Sequence, residues 1–388
     1  MTLAVDKSTW TKMRFEDFVQ SVTDRVDDPS TSGVDRYVGL EHLDPGAMIV
    51  SRWGSPDEVE AQKLRFRSGD VIFGRRRAYQ RKVARADFDG ICSAHALVLR
   101  ARPERVHPDF LPVFLSSDLF LDRAIKISVG SLSPTVNWRD LKVQEFLLPP
   151  LAEQQRIADL MWAADAAVKA QESLSRSLRY SRERALVQMF RDHDGAAKKS
   201  FGELATFING FPFKPADLGI TGLPVVRIKQ LLNPLEPLDR SEVDVPERVR
   251  LSDGDLVFSW SGVLSVRVWN RGPAILNQHL FRAVEKTGVS RAWLALALEN
   301  SLGELELKAH GSTMKHLTKP ALLGHEVPVP KPEEQLEVVE TIAHFDRSIE
   351  ATNDSIKSLK ELRSGLVAKL FGEYPESGEA GVSIEGVA

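Results

Sequence analysis

Leu148-Pro149-Pro150-Leu151-Ala152-Glu153-Gln154 returns 181 residues later as Val329-Pro330-Lys331-Pro332-Glu333-Glu334-Gln335. Met189-Phe190 returns as Leu370-Phe371, and Gly130-Ser131 as Gly311-Ser312, at the same spacing. Further upstream the spacing drifts, as loop insertions would make it. Ser68-Gly69-Asp70-Val71-Ile72-Phe73 matches Asp253-Gly254-Asp255-Leu256-Val257-Phe258, and His95 matches His279. An internal repeat constrains a fold more than any local propensity, because each copy must adopt the same architecture. The chain is one design written twice: a globular block, a long helix, then both again.

The helices announce themselves. Prolines 149, 150, 330 and 332 suit a helix start but not its interior, and acids follow in the first turn. No proline interrupts Glu153–Phe190 or Glu333–Phe371, and only Gly365 breaks the run. In the second stretch Val338, Ile342, Phe345, Ile349, Thr352, Ile356, Leu359, Arg363, Leu366 and Leu370 step by four and three, a heptad seam. The first stretch places Ile157, Met161, Ala164, Val168, Gln171, Ser175, Leu178, Arg182, Ala185 and Met189 on the matching seam. That seam is thinner, and Leu174 and Leu186 widen its stripe. Two such helices are expected to pack antiparallel and hold the blocks in a pseudo-twofold arrangement. A lone heptad helix would equally suit simple oligomerisation; the duplication is what favours the paired reading.

The expected divisions are a first block at 1–148, a helix segment at 149–192, a polar linker at 193–199, a second block at 200–328 and a second helix segment at 329–372. An acidic tail, 373–388, with four glutamates and no base, is expected to be disordered. Each block alternates short β-like runs with Gly and Pro turns. Val71-Ile72-Phe73, Ala96–Leu99, Val225-Val226-Arg227-Ile228 and Asp255–Phe258 read as strands, and Phe110–Leu121 and Ala292–Leu302 as amphipathic helices. The fold class is α+β.

A net charge of −3 argues against a nucleic-acid binder only until its distribution is considered. Residues 61–105 hold twelve lysines and arginines against four acids. Affinity for phosphates follows the field of the docking face, not the chain total. There is no apolar run long enough for a membrane span, and Met1–Asp6 has neither the basic start nor the apolar core of a secretory signal. A single cysteine, Cys92, forbids an internal disulfide and a cysteine-cluster zinc site; it suits a small buried hydrophobe in a reducing cytoplasm.

The order of motifs resembles one family. Tyr37–Leu43, the Gly-Asp-Val-Ile-Phe strand, Arg81-Lys82-Val83-Ala84 and Phe88–Ser93 are similar to the target-recognition domains of specificity subunits of type I restriction–modification systems. So are Phe207–Gly210, Leu276–His279 and Gly311–Lys319, and the two Pro-rich helix starts resemble that family's spacers. The resemblance covers about residues 10–372. It implies two recognition domains, each reading half of a split double-stranded DNA target, separated by antiparallel helices. Two methyltransferase subunits would dock on those helices, with restriction/translocase subunits joining the complex and no membrane involved. It also implies a chain without cofactor, metal or catalytic residues of its own; S-adenosylmethionine, ATP and Mg would sit on the partners. Glu153, Gln154, Arg156, Glu334 and Gln335 are the expected partner-binding positions. Gln155-Arg156 becomes Leu336-Glu337 in the second copy, reversing charge, so equal docking at both is not implied.

Within the first block, Arg75, Arg76 and Arg77 follow a strand, and Tyr79 follows them. Guanidinium forks there would suit phosphates and guanine edges; a solvated basic loop is the plain alternative. Arg81 and Lys82 lie in the family-like stretch and are assigned to phosphate positioning. In the second block the DNA-binding candidates are Arg227 and Lys229 on a strand, Trp260 and Ser261 after a strand, and Lys308, His310, Ser312 and Lys315. Trp260 takes the place of Arg75 in the repeat, and suits either a thymine or sugar contact or a core position. His279 suits a hydrogen-bonded structural histidine.

No catalytic motif accompanies them. A methyltransferase Gly-rich loop, an Asn/Asp-Pro-Pro-Tyr/Phe motif and a phosphate-binding Gly-x-x-x-x-Gly-Lys-Ser/Thr loop are all missing from the sequence. Asp109 with Asp140 and Lys142, and Glu306 with Lys308, fit a loose nuclease pattern, but neither recurs in the other block. Two other classes remain open: a coiled-coil scaffold whose blocks bind protein, and a specificity subunit of a related enzyme outside type I.

Overall fold

The computed structural model describes residues 7–233, 235–309 and 316–372. The acidic tail expected at 373–388 lies outside them. The chain divides into two compact units, residues 1–172 with 354–388, and residues 173–353. Each therefore contains a globular block and a stretch of both long helices, Leu151–Asp192 and Pro332–Phe371. No helix among the described residues is long and apolar enough to cross a membrane.

In the first unit an antiparallel sheet runs in the order Val19–Val22, Ala96–Ala101, Val71–Gly74, Val83–Arg85. A second sheet runs Arg25–Val26, Lys63–Phe66, Gly90–Ser93, Tyr37–Val38, with only the last pair parallel. The second unit rebuilds the first sheet from Ala205–Asn209, Leu280–Glu285, Leu256–Ser259 and Ser265–Val268. Its other sheet keeps the parallel pair, Leu223–Val226 with Ala274–Leu276, and the antiparallel neighbour Arg250–Leu251, but pairs its extra edge strand, Arg240–Ser241, elsewhere.

The shared Gly-Asp turn shows why the repeat holds. Gly69 and Gly254 sit at φ +92° and +91°, a conformation that L side chains rarely adopt. One residue on, Asp70 and Asp255 accept the backbone N–H of Arg67 and Ser252 at 2.9 and 2.8 Å. Each aspartate thereby closes a tight turn and launches the buried strand that follows.

Aromatic rings fill the first core: Phe15, Phe18, Phe73, Phe110, Phe114, Phe120 and Phe146 are fully buried or nearly so. Burying one such side chain contributes about 2 kcal/mol. The long helices join this core through Ile157, Ala158 and Met161 at one stretch and Leu370 and Phe371 at the other. Phe371 packs 5.8 Å from Phe114 and 6.0 Å from Phe110. In the second unit Leu186, Phe190, Val338 and Ile342 join Phe201, Phe207, Phe258, Phe281 and Trp293.

Every position of both heptad seams is buried or half-buried. Within the first unit Asp165 meets Arg363 and Glu172 meets Lys360; within the second, Ser175 meets Asn353 and Arg182 meets Asp346. Partner numbers fall as the first helix advances, so the helices are antiparallel in each unit. Leu174, expected to widen the seam, is 46% exposed instead.

Two further expectations are corrected. Phe110–Leu121 is not one amphipathic helix: Phe110–Leu115 is buried at every residue, and Ser117 caps a second helix, Asp118–Lys126. The strand expected to run to Ile228 ends at Val226, because the Gln230 side chain accepts the Arg227 N–H and starts the short helix Ile228–Leu232. Cys92 is fully buried in the core beneath the first unit's sheets, and that burial holds its thiol well above the ordinary range.

Candidate nucleic-acid interface

In the first unit residues 75–81 connect Val71–Gly74 to its hairpin partner, Gly74 N–H still donating to the Lys82 carbonyl. The loop is tied down along its length. Arg75 O accepts the N–H of Val136 at 2.9 Å, and Arg77 N–H donates to Pro134 O at 2.7 Å. Arg76 bridges Thr135, and its Nε donates to Ser133 Oγ at 2.9 Å. Its Nη1 lies 3.4 Å from His95 Nε2. Arg77 and Arg81 flank a single turn, Ala78–Gln80, and are the non-glycine residues with positive φ among those described, 56° and 54°. Such backbone costs about 1–2 kcal/mol per residue and persists only where its surroundings hold it.

These ties sort the candidates. Arg76, Arg77 and Tyr79 are exposed, Tyr79 at 53%. Arg75 is half-buried, and its Nε has no hydrogen-bond partner among the described residues. Arg81 is held by Asp118, and by Asp122 at 2.5 Å; the Asp118 hydrogen bond leads in holding its pKa above the ordinary value. Lys82 Nζ donates to Leu40 O at 2.6 Å. Arg81 and Lys82 thus fasten the loop to its surroundings. Arg85 is similarly occupied, by Asp87 and Asp109, and lies over the Trp162 ring.

The second unit repeats the frame with different side chains. Residues 260–264 join Leu256–Ser259 to Ser265–Val268, two residues fewer than in the first unit. Trp260 O accepts Leu317 N–H at 2.9 Å, and Ser261 bridges His316. These are the counterparts of the Arg75–Val136 and Arg76–Thr135 links. Trp260 is half-buried, stacks on Phe281, donates Nε1–H to Gln278 O at 3.2 Å and packs between His279 and His316. Ser261 is buried, so its hydroxyl is not presented to a ligand. His279, expected to be hydrogen-bonded, has Nε2 3.4 Å from Gln278 Nε2, while its buried Nδ1, like that of His316, has no partner among the described residues. Burial, then His316 and Arg227, pull the His279 pKa down.

Arg227 pairs with Asp239 at 3.2 Å, and Lys229 is exposed on the short helix that replaces the expected strand. Lys308 Nζ lies 2.8 Å from His325 Nδ1. His310, Ser312 and Lys315 lie outside the described residues.

The helix starts also correct an expectation. Gln154 is buried: its Oε1 accepts His107 N–H at 2.8 Å, and its Nε2 donates to Pro149 O at 2.8 Å. Gln335 is buried in the same way, donating to Pro330 O at 3.0 Å. Both glutamine side chains are turned inward onto backbone groups of their own unit and are not exposed to a partner. Glu334 accepts Lys331 N–H at 2.8 Å, Glu153 is half-buried and Arg156 is exposed. Asp118 and Asp122 escaped sequence reading, although their spacing places both on one helix face. Among the described residues no group of three His, Cys, Asp or Glu is placed to hold a metal ion.

Comparison with known proteins agrees with this duplicated frame. The family model of the type I restriction modification DNA specificity domain matches twice, at residues 7–176 and 196–361. The EcoBI specificity subunit of Escherichia coli, a type I restriction enzyme subunit, is 25% identical over 183 residues. That alignment takes in 45% of this chain and only 38% of the length of that relative. The HsdS subunit of Thermoanaerobacter tengcongensis superposes with a TM-score of 0.50 at 25% identity, over 94% of this chain and 97% of that one. A chain from a structural study of type I R-M complex assembly and conformational transition gives a TM-score of 0.65 at 25% identity, over 94% and 98%.

Proposed function

Since the chain belongs to the type I restriction modification DNA specificity family, we propose that it is the DNA-reading subunit of such a complex, recognising a split double-stranded target with one block per half-site. It directs methyltransferase and restriction/translocase subunits in the cytoplasm and has no catalytic activity of its own. S-adenosylmethionine, ATP and Mg belong to the partners. Arg76, Arg77 and Tyr79 meet the duplex in the first unit, with Arg75 beside them. Among the described candidates of the second unit Lys229 and Lys308 are exposed, Lys308 with its ammonium at His325, and Arg156 is the exposed candidate of the partner-docking helices.

One observation carries the reading. The same strand, loop and backbone links recur in both units, yet the loop bears Arg75-Arg76-Arg77 in one and Trp260-Ser261-Gly262 in the other. A conserved frame with divergent side chains is what reading two different half-sites requires, because phosphate contacts position a protein and base contacts specify the sequence.

The test is selection from a randomised duplex library by the full chain with its co-purifying subunits, at several salt concentrations. Two short motifs separated by unread base pairs are expected, with affinity falling steeply as salt rises. A single unbroken motif, or no salt-dependent duplex binding, overturns the proposal. Methyl transfer or cleavage by the isolated chain overturns its non-catalytic part.

A further inference from the structure

We propose that Leu132 is a specificity-determining residue that reads the C5-methyl group of a thymine in the half-site of the first unit. The proposal rests on the DNA-reading function above and adds to it a residue with different chemistry from the arginines.

Leu132 is 92% exposed. A single exposed leucine is ordinary on a protein surface; its tether is what makes this one informative. Val129 and Thr135 exchange both backbone hydrogen bonds at 3.0 Å, closing a small hairpin with Leu132 at its tip. Gly130, at φ +111°, makes the turn possible. The returning arm is the segment that holds the arginine loop: Ser133 Oγ accepts from Arg76, Pro134 O from Arg77, and Thr135 bridges Arg76. Leu132 and the two exposed arginines therefore belong to two segments tied together by hydrogen bonds. Leu132 directly precedes the residues that hold Arg76 and Arg77, so a duplex docked on those arginines would come within reach of it.

Chemistry then selects what Leu132 touches. It has no donor or acceptor, so it contributes nothing to a phosphate or to a guanine edge. The apolar feature that base edges present in the major groove is the thymine methyl. Burying a methyl-sized group against a leucine changes affinity by about fourfold.

The experiment uses the full chain with its co-purifying subunits and the duplex that the wild type selects from a randomised library. Each thymine is replaced in turn by uracil, which removes the methyl and leaves base pairing intact. In the wild type, one position in one half-site is expected to lose about fourfold in affinity. In Leu132→Ala that loss disappears, the preference for thymine at that position relaxes, and the other half-site is unchanged. At 92% exposure the truncation removes no core contact, so a folding defect is not expected. A uracil effect that survives in Leu132→Ala overturns the proposal. So does a loss of binding that is uniform over all sequences, the mark of a nonspecific wedge. If the wild type selects no motif, the DNA-reading premise fails, and this proposal falls with it.

Discussion

Arg182 reaches from the first long helix to Asp346 of the second, its Nε 2.5 Å from Oδ1. The repeat places Arg363 and Asp165 at the equivalent positions, and they too are paired, at 2.6 Å, within the other unit. Each arginine spends its remaining donors on the globular block of its own unit: Arg182 on Glu299, at 2.6 Å, and Arg363 on the carbonyl of Gly46, at 3.0 Å. Burial disfavours the Arg182 charge, but the hydrogen bonds to Glu299 and Asp346 outweigh it and raise its pKa. A polar pair at a heptad seam fixes register at some cost in stability, and here it also fastens the block to the helices.

Arg182→Ala should therefore destabilise the second unit by about 2 kcal/mol, a charged hydrogen-bonding network having lost its centre. In a double-mutant cycle with Asp346→Ala, the coupling should be on the order of 1 kcal/mol. Denaturant unfolding measures both; additive effects of the two substitutions would show that the pair does not act as a unit.

The second unit should also lose stability on acidification. His325 is almost fully buried, stacks on Phe201 and takes the Lys308 ammonium at Nδ1, which leaves its proton on Nε2. Burial first, then Lys308, lower its pKa below the ordinary 6.5, against a small opposing effect of Glu304. The unfolded chain then binds the proton more readily than the folded one. Stability is complete above pH 6.5 and declines as pH falls through it toward the folded-state value. His279, lowered by burial, His316 and Arg227, acts in the same direction. Thermal unfolding at pH 7.5 and 5.5 should show the loss, and His325→Gln with His279→Gln should reduce it. An unchanged slope in that double variant would place the effect elsewhere.

Much of this was legible in the spacing of the repeat. The offset between copies is 185 residues at Arg75 and Trp260, 183 at the paired strands Val83 and Val266, and 181 at Thr135 and His316. The first of those drops is the extra length of the arginine loop. Polar side chains were harder to read. Gln154, Gln335 and Ser261 look like surface residues in a sequence, yet each is buried. For the glutamines the demand came from backbone groups: each amide donates to a proline carbonyl just before its helix, and Gln154 also accepts from His107, which only the tertiary structure brings within reach. Arg81 shows a related difficulty: its charge suggests phosphate, and nothing in the sequence marks the two aspartates, on a helix well downstream, that pair with it.

Those placements sharpen the expectation for the arginine loop. Changing Arg75, Arg76 and Arg77 together to Ala should weaken duplex binding and reduce the slope of log affinity against log salt by up to about 0.9 per lost phosphate contact. Because Arg76 and Arg77 are the exposed pair, the double variant should account for most of the change, and Arg75→Ala for little. A salt slope unaltered in the triple variant would place the loop away from the duplex.

The most demanding prediction concerns modular exchange. If each block reads one half-site, replacing the second block with that of a related subunit should change one half of the target and preserve the other. The choice of boundaries decides whether the experiment is fair. A cut at residues 200 and 328 follows the sequence blocks, but it would divide a core. Trp293 stacks 6.1 Å from Phe190, and the same cluster takes Leu186 from the first helix and Val338 and Ile342 from the second. A foreign block would meet helix side chains it does not fit, and large-to-small or overpacked cores cost about 1–5 kcal/mol. Exchange of 173–353 moves the whole compact unit, including Arg182, Glu299 and Asp346. Its junctions fall on the long helices at Glu172 and Asp354, both outside the second unit's hydrophobic core. Methylation mapping in a host carrying the exchanged chain and its methyltransferase reads the result. The 173–353 chimera should be stable and alter one half-site only, and the 200–328 chimera should show the same specificity with a lower unfolding temperature. A stable chimera that modifies sites altered in both halves would refute the division of reading between the blocks.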